Sequence, residues 1–189
     1  MTKAAFDHPP TDLGHKKLVI KRWIWLIFTS TAAIAAGSLC TVEKSWELAA
    51  LSLFFFSFML PLTVIALQRT RRVAQILRTY PWQAYACSYP PRALDRPTVI
   101  RIGFSEQHTP VLRITPFSVE LARKQNSQPD MIWFAGDPRF GGVVSPVGGH
   151  FPVRVVPEDM GDGAPQGTAE DDALAEKADL VKEGKVRKT

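Results

Sequence analysis

A chain of 189 residues with a formal net charge of +5 has the length of one ordinary domain, but its apolar residues are not spread as a single soluble core requires. Its positive charge is concentrated beside apolar stretches and lacks the aromatic-rich signatures of RNA binding, which argues against nucleic acid as a partner. Two cysteines and four histidines, none at metal-ligand spacing, argue against a disulfide framework, a zinc site or any bound cofactor.

Residues 1–16 read as a disordered arm, because Met1 to Leu13 carries Pro9, Pro10 and few apolar side chains. Residues 17–80 read as a transmembrane helical hairpin with a helical extension. No charged residue occurs from Trp23 to Val42, or from Leu48 to Gln68. Each run of about 20 residues would span about 30 Å as a helix, the thickness of a bilayer's hydrocarbon core. Trp23 and Trp25 suit the inner interface and Trp46 the outer one. Ala32, Ala33, Ala36 and Gly37 put small side chains on one helical face, suited to close approach by the second helix or by another copy of the chain.

Lys16, Lys17, Lys21 and Arg22 precede the first run, while Arg69, Arg71, Arg72 and Arg78 follow the second. This asymmetry predicts a plasma-membrane protein with both termini in the cytoplasm. Ala33-Ile34-Ala35 resembles a signal-peptidase site, but the apolar run continues to Val42, so an uncleaved anchor is expected. Cys40 and Cys87 then lie on opposite sides of the bilayer and cannot pair. Phe54, Phe55, Phe56 and Phe58 suit lipid or the alanine face, and Pro61 predicts a kink. No ionisable side chain falls inside either run, which removes the usual mark of a transporter.

Beyond Gln68, Val73, Ile76, Leu77 and Tyr80 recur at helical spacing. This predicts a cytoplasmic extension that docks its apolar stripe on the following domain or lies on lipid headgroups through Arg69, Arg71, Arg72 and Arg78. Residues 82–156 then switch to a period of two. Strands are predicted at Tyr85 to Tyr89, Val99 to Phe104, Val111 to Thr115, Met131 to Ala135, Gly142 to Ser145 and Phe151 to Val156. The last two are joined through Pro146-Val147-Gly148-Gly149, a hairpin signal. Ser118 to Lys124 reads as a short helix. The fold class is therefore α+β: a transmembrane hairpin followed by a small antiparallel barrel or half-barrel. Residues 157–189 are charged, contain no aromatic residue, and read as a disordered tail with transient helix from Ala169 to Val181. The acidic part of this tail either stays solvated or contacts the arginines near the membrane.

Trp133-Phe134-Ala135-Gly136-Asp137-Pro138-Arg139-Phe140-Gly141-Gly142 is the most distinctive stretch outside the apolar runs. Asp137 is expected to bond backbone N–H groups of a turn, and the glycines to let chain segments approach closely. The same stretch reads functionally as a recognition point for a partner protein, built from Trp133, Phe134, Asp137, Arg139 and Phe140. Together with Tyr80-Pro81-Trp82-Gln83 it resembles a group of two-pass membrane proteins of actinobacteria, over roughly residues 20 to 156. That resemblance implies the architecture and no activity. The layout is also similar to bacterial membrane proteins carrying pleckstrin-homology-like domains.

No arrangement points to catalysis. His8, His15, His108 and His150 read as solvent-facing, and nothing in the spacing unites Cys87 with His108, His150 or Asp137. Arg101, Arg113 and Arg154 alternate with core positions and are expected to share an outward face. The reading is a non-catalytic, membrane-anchored adaptor presenting a β-module to a protein partner. The alternative is an anionic-lipid-binding module of pleckstrin-homology-like type.

Overall fold

The computed structural model describes residues 3–43, 46–90, 98–105, 108–115, 121, 128–159 and 167–181. The chain divides into two compact units, one formed by Lys16–Arg71 and the other by Met1–His15 together with Arg72–Thr189. Two long helices, α1 (Pro9–Glu43) and α2 (Trp46–Thr79), each contribute residues to both units.

The larger unit is organised by six strands, β1 (Gln83–Ser88), β2 (Val99–Gly103), β3 (Val111–Thr115), β4 (Met131–Asp137), β5 (Gly141–Pro146) and β6 (Val153–Asp159). They close into an antiparallel barrel in the order β1-β2-β3-β6-β5-β4. Closure leaves no strand edge without a partner, which removes the usual route to edge-to-edge aggregation. The period-two alternation acts as expected: Ile100 and Ile102 on β2, and Leu112 and Ile114 on β3, point inward. They meet Ile132, Phe134, Val144 and Val155 in the barrel interior, where Phe104 and Phe134 pack edge-on at 4.9 Å.

The β4–β5 side of the barrel is buried on both faces. Phe134 and Val144 face inward while their neighbours Ala135 and Val143 face outward into a second apolar cluster. That cluster includes Val73, Ile76 and Leu77 of α2, so the stripe beyond Gln68 docks on the barrel as its spacing predicts. The Pro146–Gly149 hairpin also forms, with Gly148 and Gly149 at φ +105 and +72 and the Gly149 N–H bonded to the Pro146 carbonyl. The expected helix at Ser118 to Lys124 lies outside the described residues, except for buried Leu121.

Two expectations of disorder are corrected. Residues 3–15 are folded: Ala5–Asp7 form one 3-10 turn, α1 starts at Pro9 rather than near Lys17, and Ala5 and Thr11 are buried. Pro9 and Pro10 do not break this helix, because first-turn N–H groups have no intrahelical partner to lose. The described part of the tail is folded as well. β6 continues to Asp159, and Ala169–Lys177 form helix α3, burying Ala175 and, just beyond it, Ala178 and Leu180. Alanines have too little apolar area to announce a core position in a charged sequence, which is why composition misreads this segment.

The smaller unit pairs the remaining lengths of α1 and α2. Arg22 Nη1 donates to the Ala66 carbonyl at 2.9 Å, which sets these positions side by side. Thr29, Thr31 and Thr70 turn their hydroxyls back onto carbonyls of their own helices, so these polar atoms are satisfied locally. Among its described residues, large apolar side chains that face outward include Trp23, Ile24, Trp25, Ile27, Phe28, Ile34, Phe54 and Phe58. By length and composition α1 can cross a membrane, over Pro9–Ala35.

Candidate functional site

The Trp133 to Gly142 stretch forms the end of β4, the β4–β5 turn and the start of β5. Its glycines are there for close approach. A Cβ on Gly142 would lie 2.4 Å from the Ala135 carbonyl oxygen, and one on Gly141, which sits at φ +89, 2.4 Å from the Val155 carbonyl oxygen. The turn is tied by Asp137, whose Oδ1 accepts from the Arg139 N–H at 2.8 Å while its carbonyl accepts from the Phe140 N–H at 3.1 Å.

Arg139 then folds back on the same carboxylate. Its Nε donates to Oδ1 at 3.1 Å and its Nη2 to Oδ2 at 2.7 Å, a two-point pairing of largely buried groups. The pairing raises the Arg139 pKa, with the Asp137 hydrogen bonds as the main cause. Nη1 points the other way and donates to Asp172 of α3 at 2.7 Å. The guanidinium therefore divides its donors, two directions fixed by its own turn and one given to a helix from the far end of the chain.

The turn supports an apolar shelf. Phe140 packs against the outer cluster with the Arg139 guanidinium 5.1 Å from its ring centroid, and Tyr80 and Trp82 join the same cluster. Burial first, and the nearby Asp137 carboxylate second, push the Tyr80 phenol up to about 12. Trp133 lies a little apart, its ring 6.0 Å from that of Trp82 and edge-on to His8 at 5.2 Å. Trp82 Nε1 donates to the Thr11 hydroxyl at 3.0 Å. A Cβ on Gly14 would fall 2.3 Å from the His150 carbonyl oxygen, so the first turns of α1 press directly on the β5–β6 hairpin.

The five residues expected to recognise a partner are thus divided. Phe134 lies inside the barrel, Trp133 is half-buried against Trp82 and His8, and Asp137, Arg139 and Phe140 form a unit facing α3. An exposed Trp133–Phe140 pair is not present, because both rings pack against segments expected to be disordered.

The expected arginine surfaces divide too. Arg69 and Arg71 are exposed, Arg72 pairs with Asp179 at 3.6 Å, and Arg78 stacks over Phe6 at 5.0 Å. The Arg72–Asp179 pair places the tail in contact with one of the arginines near the apolar runs. Arg101 and Arg113 are exposed, but Arg154 is buried and donates to the Gly142 carbonyl at 3.3 Å, so the three do not share an open face. Of the histidines, His15 and His108 are buried, His8 is half-buried and His150 is exposed. Burial pushes the Cys87 thiol up, away from nucleophile chemistry. Among the described residues, no group of three or more His, Cys, Asp and Glu is placed to hold a metal.

Sequence reasoning expected only a transient helix from Ala169 to Val181; it missed that α3 is a capped helix docked on the barrel, and so missed the pairing of Asp172 with Arg139. A signal was available: Thr168 precedes Asp171 by three positions, and the two form a reciprocal capping box at the start of the helix.

The chain thus falls in the α+β class, an apolar helical pair with a closed six-stranded antiparallel barrel and one short helix. No protein-family profile, curated protein or solved structure matches it.

Proposed function

We propose that the protein is a two-pass membrane adaptor, without catalytic activity, that tethers its barrel to the cytoplasmic side of the plasma membrane for recognition of a protein partner. One observation carries the reading: the Arg22–Ala66 hydrogen bond pairs the helices level with the onset of both uncharged runs. From that level about 20 residues of each helix remain before Glu43 and Trp46, enough for about 30 Å of hydrocarbon in each direction. The outward-facing Ile, Phe and Trp side chains named above are left largely exposed by the described residues of the chain, as a lipid solvent allows. Lysines and arginines at both helix bases, against only Glu43, Lys44 and Glu47 among the charged residues between the two uncharged runs, favour cytoplasmic termini.

A tether confines the barrel to a thin layer and raises its effective concentration toward partners in the same membrane, so a weak binder becomes useful. Thiol labelling of single-cysteine variants in intact cells tests the topology. A cysteine beside Lys44 should react with an impermeant reagent, and one at Thr189 should not; reaction at Thr189 overturns the topology, and release by carbonate washing overturns the anchoring.

A second reading, contact with anionic headgroups, is favoured by the exposure of Lys16, Lys17, Lys21, Arg69 and Arg71 around the helix bases. It predicts salt-sensitive association with phosphatidylserine vesicles, weakened by charge reversal of Arg69 and Arg71. Binding indifferent to vesicle charge removes it.

A further inference from the structure

Helix α3 lies on the barrel as a bound peptide lies on its receptor. It is closed at both ends by its own residues. The Thr168–Asp171 capping box starts it, and at the other end the Asp179 N–H bonds the Glu176 carbonyl while the Leu180 N–H bonds the Ala175 carbonyl. That pair of bonds, with Asp179 at φ +56, is a Schellman closure, normally built on glycine. Nine residues are too few for a stable isolated helix, but caps at both ends lower the cost of ordering it when it docks.

Its receptor surface is equally defined. Ala175, Ala178 and Leu180 form a small apolar seam that meets Val73, Ile76, Leu77, Ala135 and Val143. Two arginines flank the seam and take carboxylates from the helix, Arg139 from Asp172 and Arg72 from Asp179. Gln75 adds a hydrogen bond to the Lys177 carbonyl at 2.7 Å. The chain passes so close over Arg139 that a Cβ at Gly167 would lie 1.8 Å from its Nη1.

The sheet and the barrel interior close without this helix, which covers only the outer side of β4 and β5. All six strands find their partners within the sheet, and the interior cluster contains no residue of α3. Arg139 also keeps Asp137 when α3 leaves, so Nη1 remains a positioned donor rather than becoming an unpaired buried charge. The connecting sequence from Met160 to Gly167 contains three glycines and a proline.

We infer that this surface is a helix-docking groove, that α3 is its resident and exchangeable ligand, and that the partner segment it accepts is an acidic helix bearing aspartates around a small apolar seam. The inference rests on the adaptor reading and names the partner's chemistry. Tethered in cis, α3 competes at an effective concentration of order millimolar, so the groove opens to a partner that outcompetes it or when the tail is drawn away.

The test uses the full chain in detergent and a fluorescent peptide of residues 167–181 as the probe. A chain lacking residues 167–189 should bind the peptide at least tenfold more tightly than the full chain, and an Asp172→Arg peptide should bind at least tenfold more weakly. The full-length Asp172→Arg variant, which keeps every residue of the tail, should also take up the wild-type peptide, and it decides the matter if the shortened chain does not fold. Failure of a folded, open-groove chain to bind the peptide overturns the inference, as does equal binding by the unaltered chain. Exchange of tails between two differently tagged full chains would reassign the groove to contact between copies and so overturn the partner assignment. Carbonate extraction of the same variants reports on membrane anchoring alone, so failure of the groove and failure of the adaptor reading are separable.

Discussion

Isoleucine and phenylalanine do opposite things in the two units. In the barrel, Ile100, Ile102 and Ile132 are 0% exposed and Phe134 is 2% exposed. Along the helical pair, Ile24 is 60%, Phe28 63% and Phe54 79% exposed. Residue type and hydrophobicity are matched, so the contrast lies in how much of that apolar surface each unit buries within itself. The barrel excludes water by closing on itself, whereas the helical pair leaves its apolar surface to whatever surrounds it.

The most severe way to break that contrast is to open the barrel. Gly142→Val drives a side chain into the Ala135 carbonyl and the Phe134 ring, and should cost about 3 kcal/mol or more. Thermal unfolding followed by near-ultraviolet circular dichroism should show the cooperative transition lost or moved far down, with membrane association retained. A retained transition near the original midpoint would mean that the close approach at Gly142 is relaxed at little cost.

The contrast is sharpened from the other side by Phe28→Lys. At a water-facing position this change is nearly neutral, but within the hydrocarbon core of a bilayer it costs up to about 3 kcal/mol, the full amount applying at the centre and less toward the interfaces. The variant should be depleted from the membrane fraction while its barrel unfolds at the same temperature as before. Full retention in membranes would argue that Phe28 never meets lipid.

A smaller effect is expected where the N-terminal segment clasps the barrel. Thr11→Val keeps the shape but leaves the Trp82 indole N–H without its acceptor, at a cost of about 1–2 kcal/mol. Urea denaturation of the purified chain measures it, and an unchanged midpoint would show that water replaces the hydroxyl.

The smallest effect concerns α3. Hydrogen bonds from the Thr168 backbone N–H, and then from its hydroxyl, hold the Asp171 carboxyl below its ordinary value of 3.8. Because the folded-state value is the lower one, the capping contribution is fully present above about pH 4 and is lost as the pH falls through the depressed value. Protection of the Leu180 amide, corrected for intrinsic exchange, should decline over that acid range and stay flat from pH 5 to 8. A decline centred near neutrality would point to another group.

Much of the fold was legible because the signals were local. Strand alternation at Val99 to Phe104 and Val111 to Thr115, the hairpin glycines, the stripe at Val73, Ile76 and Leu77, and the turn chemistry of Asp137 all act within a few residues of themselves. The candidate site was legible only in part. Asp137, Arg139 and Phe140 stood out as a turn, but their partner Asp172 lies 33 residues beyond Arg139, inside a segment whose composition resembles a solvated tail. The arm was misread for a related reason, since two prolines and a low apolar content describe an unstructured chain until a barrel wall is placed against it.

By itself the sequence determined the two uncharged runs, the charge at their ends and the inward set of barrel residues, because each depends on hydrophobic periodicity along the chain. Tertiary structure alone decided that the barrel closes, that both terminal segments fold onto it, and that one guanidinium is shared between a turn and a distant helix. Those outcomes depend on the shape of a surface assembled from Val73, Ala135, Val143 and Leu180, and no single segment carries enough apolar area to announce it.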